Sequence, residues 1–153
     1  MPITQNHALV RNVDLLATFF QTGDMVVINK RIAILSNNEH SPWLKHTTEV
    51  LGSLGQLTVY AEDVLAKDSE GSGGINVMDM MVVDASGLQM ELAERVAWLH
   101  GRFPKVPIVV LTSSPTWRRA RAVLQAGAAD YMRRSMEDDM LLARCRALLD
   151  CPP

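Results

Sequence analysis

The chain has 153 residues, 48% hydrophobic and 21% charged, with a formal net charge of -2. That length supports one sizeable core and is short for two, and the near-neutral balance excludes a composition built for wholesale polyanion binding. Two cysteines, Cys145 and Cys151, are too few for a disulfide framework, no stretch reaches the ~18 uncharged apolar residues of a membrane span, and the start lacks the basic-then-apolar pattern of an export signal. The expectation is a cytoplasmic protein with no membrane contact.

Residues 1–30 read as an N-terminal extension ahead of a domain at 31–150. Leu9, Val13, Leu16 and Phe20 recur at helical spacing and predict an amphipathic helix over 8–21. Its stripe needs cover, either from the domain's own surface or from a dimer or partner helix. A strand at 25–28 turning back through Asn29-Lys30 would compete for an edge of the next strand, which disfavours it if that strand is central.

That next strand spans 31–35 and ends in the polar cluster Ser36-Asn37-Asn38-Glu39-His40-Ser41-Pro42. A helix over 43–54 follows, with Ser41 as N-cap, Pro42 at the first position, Gly55 beyond the end, and Trp43, Leu44, Val50, Leu51 and Leu54 as its buried side. A strand at 57–60, a short helix at 62–67 and a flexible Gly/Ser loop at 69–74 come next. Met80-Met81-Val82-Val83 then runs unbroken into Asp84, the pattern of a strand buried on both faces. Asp84 therefore stands at a carboxyl end, where open α/β sheets place their ligands.

Leu92, Val96 and Leu99 mark a helix over 88–102, and an apolar strand at 108–111 ends in Thr112-Ser113-Ser114. Pro115 opens a helix over 116–126, with Gly127 just past it where a left-handed residue is usual. A fifth strand at 128–132 and a helix at 136–149, apolar at Met140, Leu141, Leu148 and Leu149, complete the chain. Strands alternating with helices predict βαβ units and a three-layer α/β sandwich.

Five such units, the strand-end Asp84 and Thr112, and the segment Ala126-Gly127-Ala128-Ala129-Asp130-Tyr131-Met132-Arg133-Arg134-Ser135 together resemble the receiver domain of bacterial two-component response regulators. The resemblance covers about residues 31–150. It implies a flavodoxin-like (CheY-like) five-stranded parallel sheet of order 2-1-3-4-5. It also makes Asp84 the position that takes a phosphoryl group from a histidine kinase, Thr112 the switch hydroxyl, Tyr131 the switch aromatic and Arg134 the position of the family's lysine.

The departures from that pattern are specific. Receivers carry two acids at the end of the first strand that hold Mg²⁺ with the phosphoacceptor, whereas the corresponding place here is Ser36-Asn37-Asn38-Glu39. Mg²⁺ wants charged oxygens in near-octahedral geometry, so amides there predict lost metal affinity and slowed phosphoryl transfer. Arg134 replaces a flexible point charge with a planar fork, and Ser135 stands where a cis proline is usual. The reading is an atypical receiver, or pseudo-receiver: a regulatory module without catalysis or cofactor, acting through protein contacts, with weak or no phosphorylation at Asp84. The alternative is a working phospho-receiver with Mg²⁺ held by Asp84 and Glu39. A nucleotide- or flavin-binding enzyme lacks the Gly-rich phosphate loop it needs.

Simpler roles stand beside these. Asp84 is also readable as a solvated strand-end acid, Asn37 and Asn38 as turn formers, Thr112 as a cap for backbone donors, and Cys145 as a small core residue. Arg118, Arg119 and Arg121 precede Glu137, Asp138 and Asp139 in the last third of the chain. Such charges form either a solvated face or a two-fold homodimer interface on which each half supplies what the other needs. Interspersed acids argue against direct nucleic-acid binding. The expected partner is a protein, a histidine kinase or a separate output protein.

Overall fold

The structure, a computed structural model, describes residues 30–67 and 78–151. The predicted helix at 8–21, the strand at 25–28 and the loop at 69–74 lie outside them. The elements are β1 (Arg31–Leu35), α1 (Pro42–Leu51), β2 (Gln56–Tyr60), α2 (Glu62–Lys67), β3 (Met80–Asp84), α3 (Leu92–Arg102), β4 (Ile108–Thr112), α4 (Trp117–Gln125), β5 (Asp130–Arg133) and α5 (Asp138–Asp150).

All strand pairs are parallel, in the order β2-β1-β3-β4-β5. Alternation along each strand divides the core in two. Ile32, Ile34, Met80, Val82, Val109 and Leu111 face α1 and α5, which contribute Leu44, Leu51, Leu141, Cys145 and Leu149. Ala33, Leu35, Met81, Val83, Ile108 and Val110 face the other layer, with Leu65, Val96, Leu99 and Val123 from α2, α3 and α4. β3 and β4 are buried along their whole length, which is why each reads as an unbroken apolar run.

The helix ends are set by local chemistry. The Ser41 hydroxyl caps α1 at Leu44 N–H, with Pro42 at the first helical position as expected, but the helix stops at Leu51, short of residue 54. α3 begins at Leu92 rather than at 88, because Glu91 is its N-cap and the backbone of 89 and 90 is bonded elsewhere. α5 likewise begins at Asp138 rather than 136. Thr116 caps α4 through Arg119 N–H, and Gly127 follows with φ 119°. A Cβ at Gly127 would meet the His100 ring of α3, so both conformation and space require glycine there. Of the apolar positions of the last helix, Met140 is exposed on α5, while Leu141 faces inward with Cys145.

β1 lies between β2 and β3, so the chain leaves β1 in one lateral direction and returns to its other side. The sheet therefore opens a crevice at the carboxyl ends of β1 and β3, where connecting loops diverge. Ser36 and Asp84 occupy those two ends.

Candidate functional site

Asp84 is 0% exposed, and a carboxylate removed from water must be paired or fully hydrogen-bonded. Its Oδ2 accepts from Ser36 Oγ at 2.8 Å and from Asn38 Nδ2 at 3.1 Å, and its Oδ1 accepts from Ser86 N–H at 3.1 Å. The Asn38 N–H in turn donates to Ser36 Oγ at 3.1 Å, a local turn that brings its amide over the carboxylate. Asn38 Nδ2 also donates to the Ser86 carbonyl at 2.9 Å. Asp84 is thus not a solvated strand-end acid. Three uncharged donors hold it, two of them from the segment that follows β1.

Asn37 makes a matching arrangement one residue earlier. Its Nδ2 donates to Glu62 Oε1 and to the Gly87 carbonyl, each at 3.0 Å, and its Oδ1 accepts from Glu62 N–H at 2.9 Å. Neither asparagine is only a turn former. Glu62, at the start of α2 and 1% exposed, also accepts from Gln89 N–H at 2.6 Å, Met90 N–H at 3.1 Å and Arg95 Nε at 2.9 Å. Burial alone would raise its pKa. The Gln89 and Met90 N–H groups, Arg95 and Asn37 overcome that effect and hold it below its ordinary value. The loop from β3 to α3 is consequently fastened at Ser86, Gly87, Gln89 and Met90.

The hydrogen bonds of the remaining predicted residues go to partners other than Asp84. Thr112 is buried, and its Oγ1 accepts from Ser114 N–H at 3.2 Å, the simple strand-end role. Arg134 Nη1 donates to Ser86 Oγ at 2.9 Å, its guanidinium lies 3.9 Å over the Trp43 ring, and its carbonyl accepts from Trp43 Nε1 at 3.2 Å. The cation is therefore one residue shell away from Asp84, held by an aromatic face and a hydroxyl. Every peptide bond among the described residues is trans, including the one before Ser135. The hydroxyl of Tyr131 is buried without a hydrogen-bond partner among the described residues.

Glu39 does not join the site. Its side chain is 62% exposed and pairs with His40 at 3.4 Å, because the turn closed by Ser41 N–H on the Asn38 carbonyl directs it outward. No group of three or more His, Cys, Asp or Glu among the described residues is arranged to hold a metal ion. One carboxylate already accepting from a hydroxyl, an amide and a backbone N–H is a poor donor set for Mg²⁺, which needs several charged or water oxygens in octahedral array. The residues present do not fit that ion.

No protein-family model and no curated protein matches this chain. Solved structures do match its fold. The BeF3-activated DrrB receiver domain aligns at TM-score 0.65 and 22% identity over 80% of this chain and 98% of that one. A CheY-like response-regulator receiver domain protein from Methanospirillum hungatei JF-1 aligns at TM-score 0.67 and 20% identity, over 80% and 94% of the two chains. The fold is that of a response-regulator receiver domain. A putative pilus assembly-related protein from Burkholderia pseudomallei K96243 shares it at TM-score 0.63 and 19% identity, over 79% and 90%.

Within this receiver fold, sequence reasoning missed Glu62, Arg95 and Ser86 as parts of the site. Glu62 carried a usable signal, since it follows the carboxyl end of β2 and so lies on the same rim as Ser36 and Asp84. Arg95 carried none, because a lone arginine in an amphipathic helix looks like any solvated charge.

Replacing Glu62 by Gln should destabilise the domain by about 3 kcal/mol in denaturant titration, because it leaves the buried Arg95 uncompensated. With a folded-state pKa below 4.5, Glu62 contributes stability that is complete above that pH and lost as pH falls through the folded value, so the variant should show a flatter acid limb. Tyr131→Phe should raise stability by about 1 kcal/mol, since it removes a desolvated hydroxyl that has no partner among the described residues.

Proposed function

We propose that this chain is an atypical receiver that regulates through protein–protein contacts, without catalysis of its own, and that Asp84 is phosphorylated weakly or not at all. The observation that carries this is the closed state of Asp84: 0% exposed, with both oxygens engaged by Ser36, Asn38 and Ser86. Phosphoryl transfer needs an in-line approach to a free carboxylate oxygen and positive charge on the transferring group. Neutral amides supply no such charge, and the Arg134 guanidinium is committed to Ser86 and Trp43.

The face formed by α4, β5 and α5 is the proposed contact surface. Arg118, Arg119 and Arg121 are exposed on α4, and Glu137, Asp138 and Asp139 are exposed at the start of α5. Trp117 is 75% exposed, with Arg121 at 5.9 Å from its ring, which provides an apolar anchor among the charges. A homodimer with basic residues of one subunit on acids of the other suits that layout. Asp138 is already bonded to His46 of α1 at 3.0 Å, so Glu137 and Asp139 are the better-placed acids. A histidine kinase or a separate output protein is the proposed further partner, in a cytoplasmic setting consistent with two free cysteines. No helix among the described residues is long and apolar enough to cross a membrane.

Incubating the protein with Mg²⁺ and acetyl phosphate, then measuring intact mass, should give no phosphoryl adduct. An adduct present in the wild type and lost in Asp84→Asn would establish a working phospho-receiver instead. Light scattering should give the mass of a dimer, and a triple Arg118→Glu, Arg119→Glu, Arg121→Glu variant should give that of a monomer; an unchanged mass would remove the α4 face from the interface.

A further inference from the structure

We propose that the side-chain amide of Asn38 takes the place of a divalent cation in the crevice, so that the loop after β3 is pinned by hydrogen bonds alone and does not respond to such ions. The inference deepens the atypical-receiver reading and rests on it.

Two oxygens of different kinds converge on one nitrogen: Asp84 Oδ2 at 3.1 Å and the Ser86 carbonyl at 2.9 Å from Asn38 Nδ2. A carboxylate oxygen and a main-chain carbonyl facing one point are ligands of the type a hard cation collects. The amide NH₂ has two protons and directs one to each oxygen. The orientation of the amide is decided by the same contacts, because the reverse one would set Oδ1 against two other oxygens. Unlike a cation, the amide brings no net charge. The Ser36 hydroxyl and the Ser86 N–H supply the further donors that a buried carboxylate requires.

Asn37 repeats the device, its NH₂ bridging Glu62 Oε1 and the Gly87 carbonyl. Consecutive asparagines therefore donate directly to consecutive carbonyls of one loop, each while also donating to a buried carboxylate. In such a crevice the loop geometry is a property of the folded chain, not of ion concentration.

The test is Asn38→Asp, which puts an anionic oxygen where the NH₂ protons now point. Two carboxylates at that spacing repel, so the variant should melt below wild type in EDTA and recover by about 4 °C or more with millimolar Mg²⁺ or Mn²⁺. The wild-type Tm should be indifferent to either ion, and Asn38→Ala should melt lower and stay indifferent. If Asn38→Asp does not fold in EDTA, refolding it with and without Mg²⁺ reads the same quantity. A wild type stabilised by Mg²⁺, or an aspartate variant that ignores it, overturns the inference. Phosphorylation of Asp84 in a wild type whose Tm ignores Mg²⁺ would defeat the proposed function and leave the role of Asn38 standing.

Discussion

A carboxylate buried at the end of a central strand must be compensated, and in this protein everything around the crevice follows from how that is done. Asp84 is compensated by a hydroxyl, an amide and a backbone N–H. Hydrogen bonds to a charged group contribute about 1.5–3 kcal/mol each, and an unpartnered charge in the same place would cost more than the domain could tolerate. Compensation by neutral groups has a structural consequence. These three donors belong to the chain itself, so they tie the loops that carry them to β3.

The second buried acid extends that constraint. Glu62 joins the segment after β1, the start of α2, the loop after β3 and the body of α3 through Asn37, Gln89, Met90 and Arg95. Three loops on one rim are thereby tied into a single hydrogen-bonded unit beneath which both halves of the core are apolar. Low-stability, loosely bonded segments are the ones that move, and these loops are instead cross-bonded to one another. A receiver fold alone does not decide how it is used, because function resides in the site built on the fold.

On the opposite side of Arg134 lies the face proposed for recognition. The Arg134 guanidinium stacks on Trp43 and reaches Ser86, so it links α1 to the loop after β3 from a position just past β5. β5 and its flanking helices carry the exposed arginines, acids and Trp117. The crevice and the proposed contact face are thus joined by one side chain.

The sequence by itself determined the alternation of strands and helices, the sheet class and the position of Asp84, because these depend on local periodicity, on turn residues such as Pro42 and Gly127, and on apolar runs whose short length and flanking turns mark buried strands. It also showed neutral Asn37 and Asn38 where the family it resembles carries acids, a difference in charge that holds whatever their surroundings. What only the tertiary structure decided was which groups meet. Ser36 rather than Thr112 supplies the hydroxyl to Asp84, Glu39 turns to solvent, Arg134 goes to Ser86 and Trp43, and Glu62 finds Arg95. These pairings join residues from 33 to 91 positions apart. No spacing rule along the chain encodes them, because they arise where separate strand ends are brought to one rim and where burial forces each polar group to find a partner.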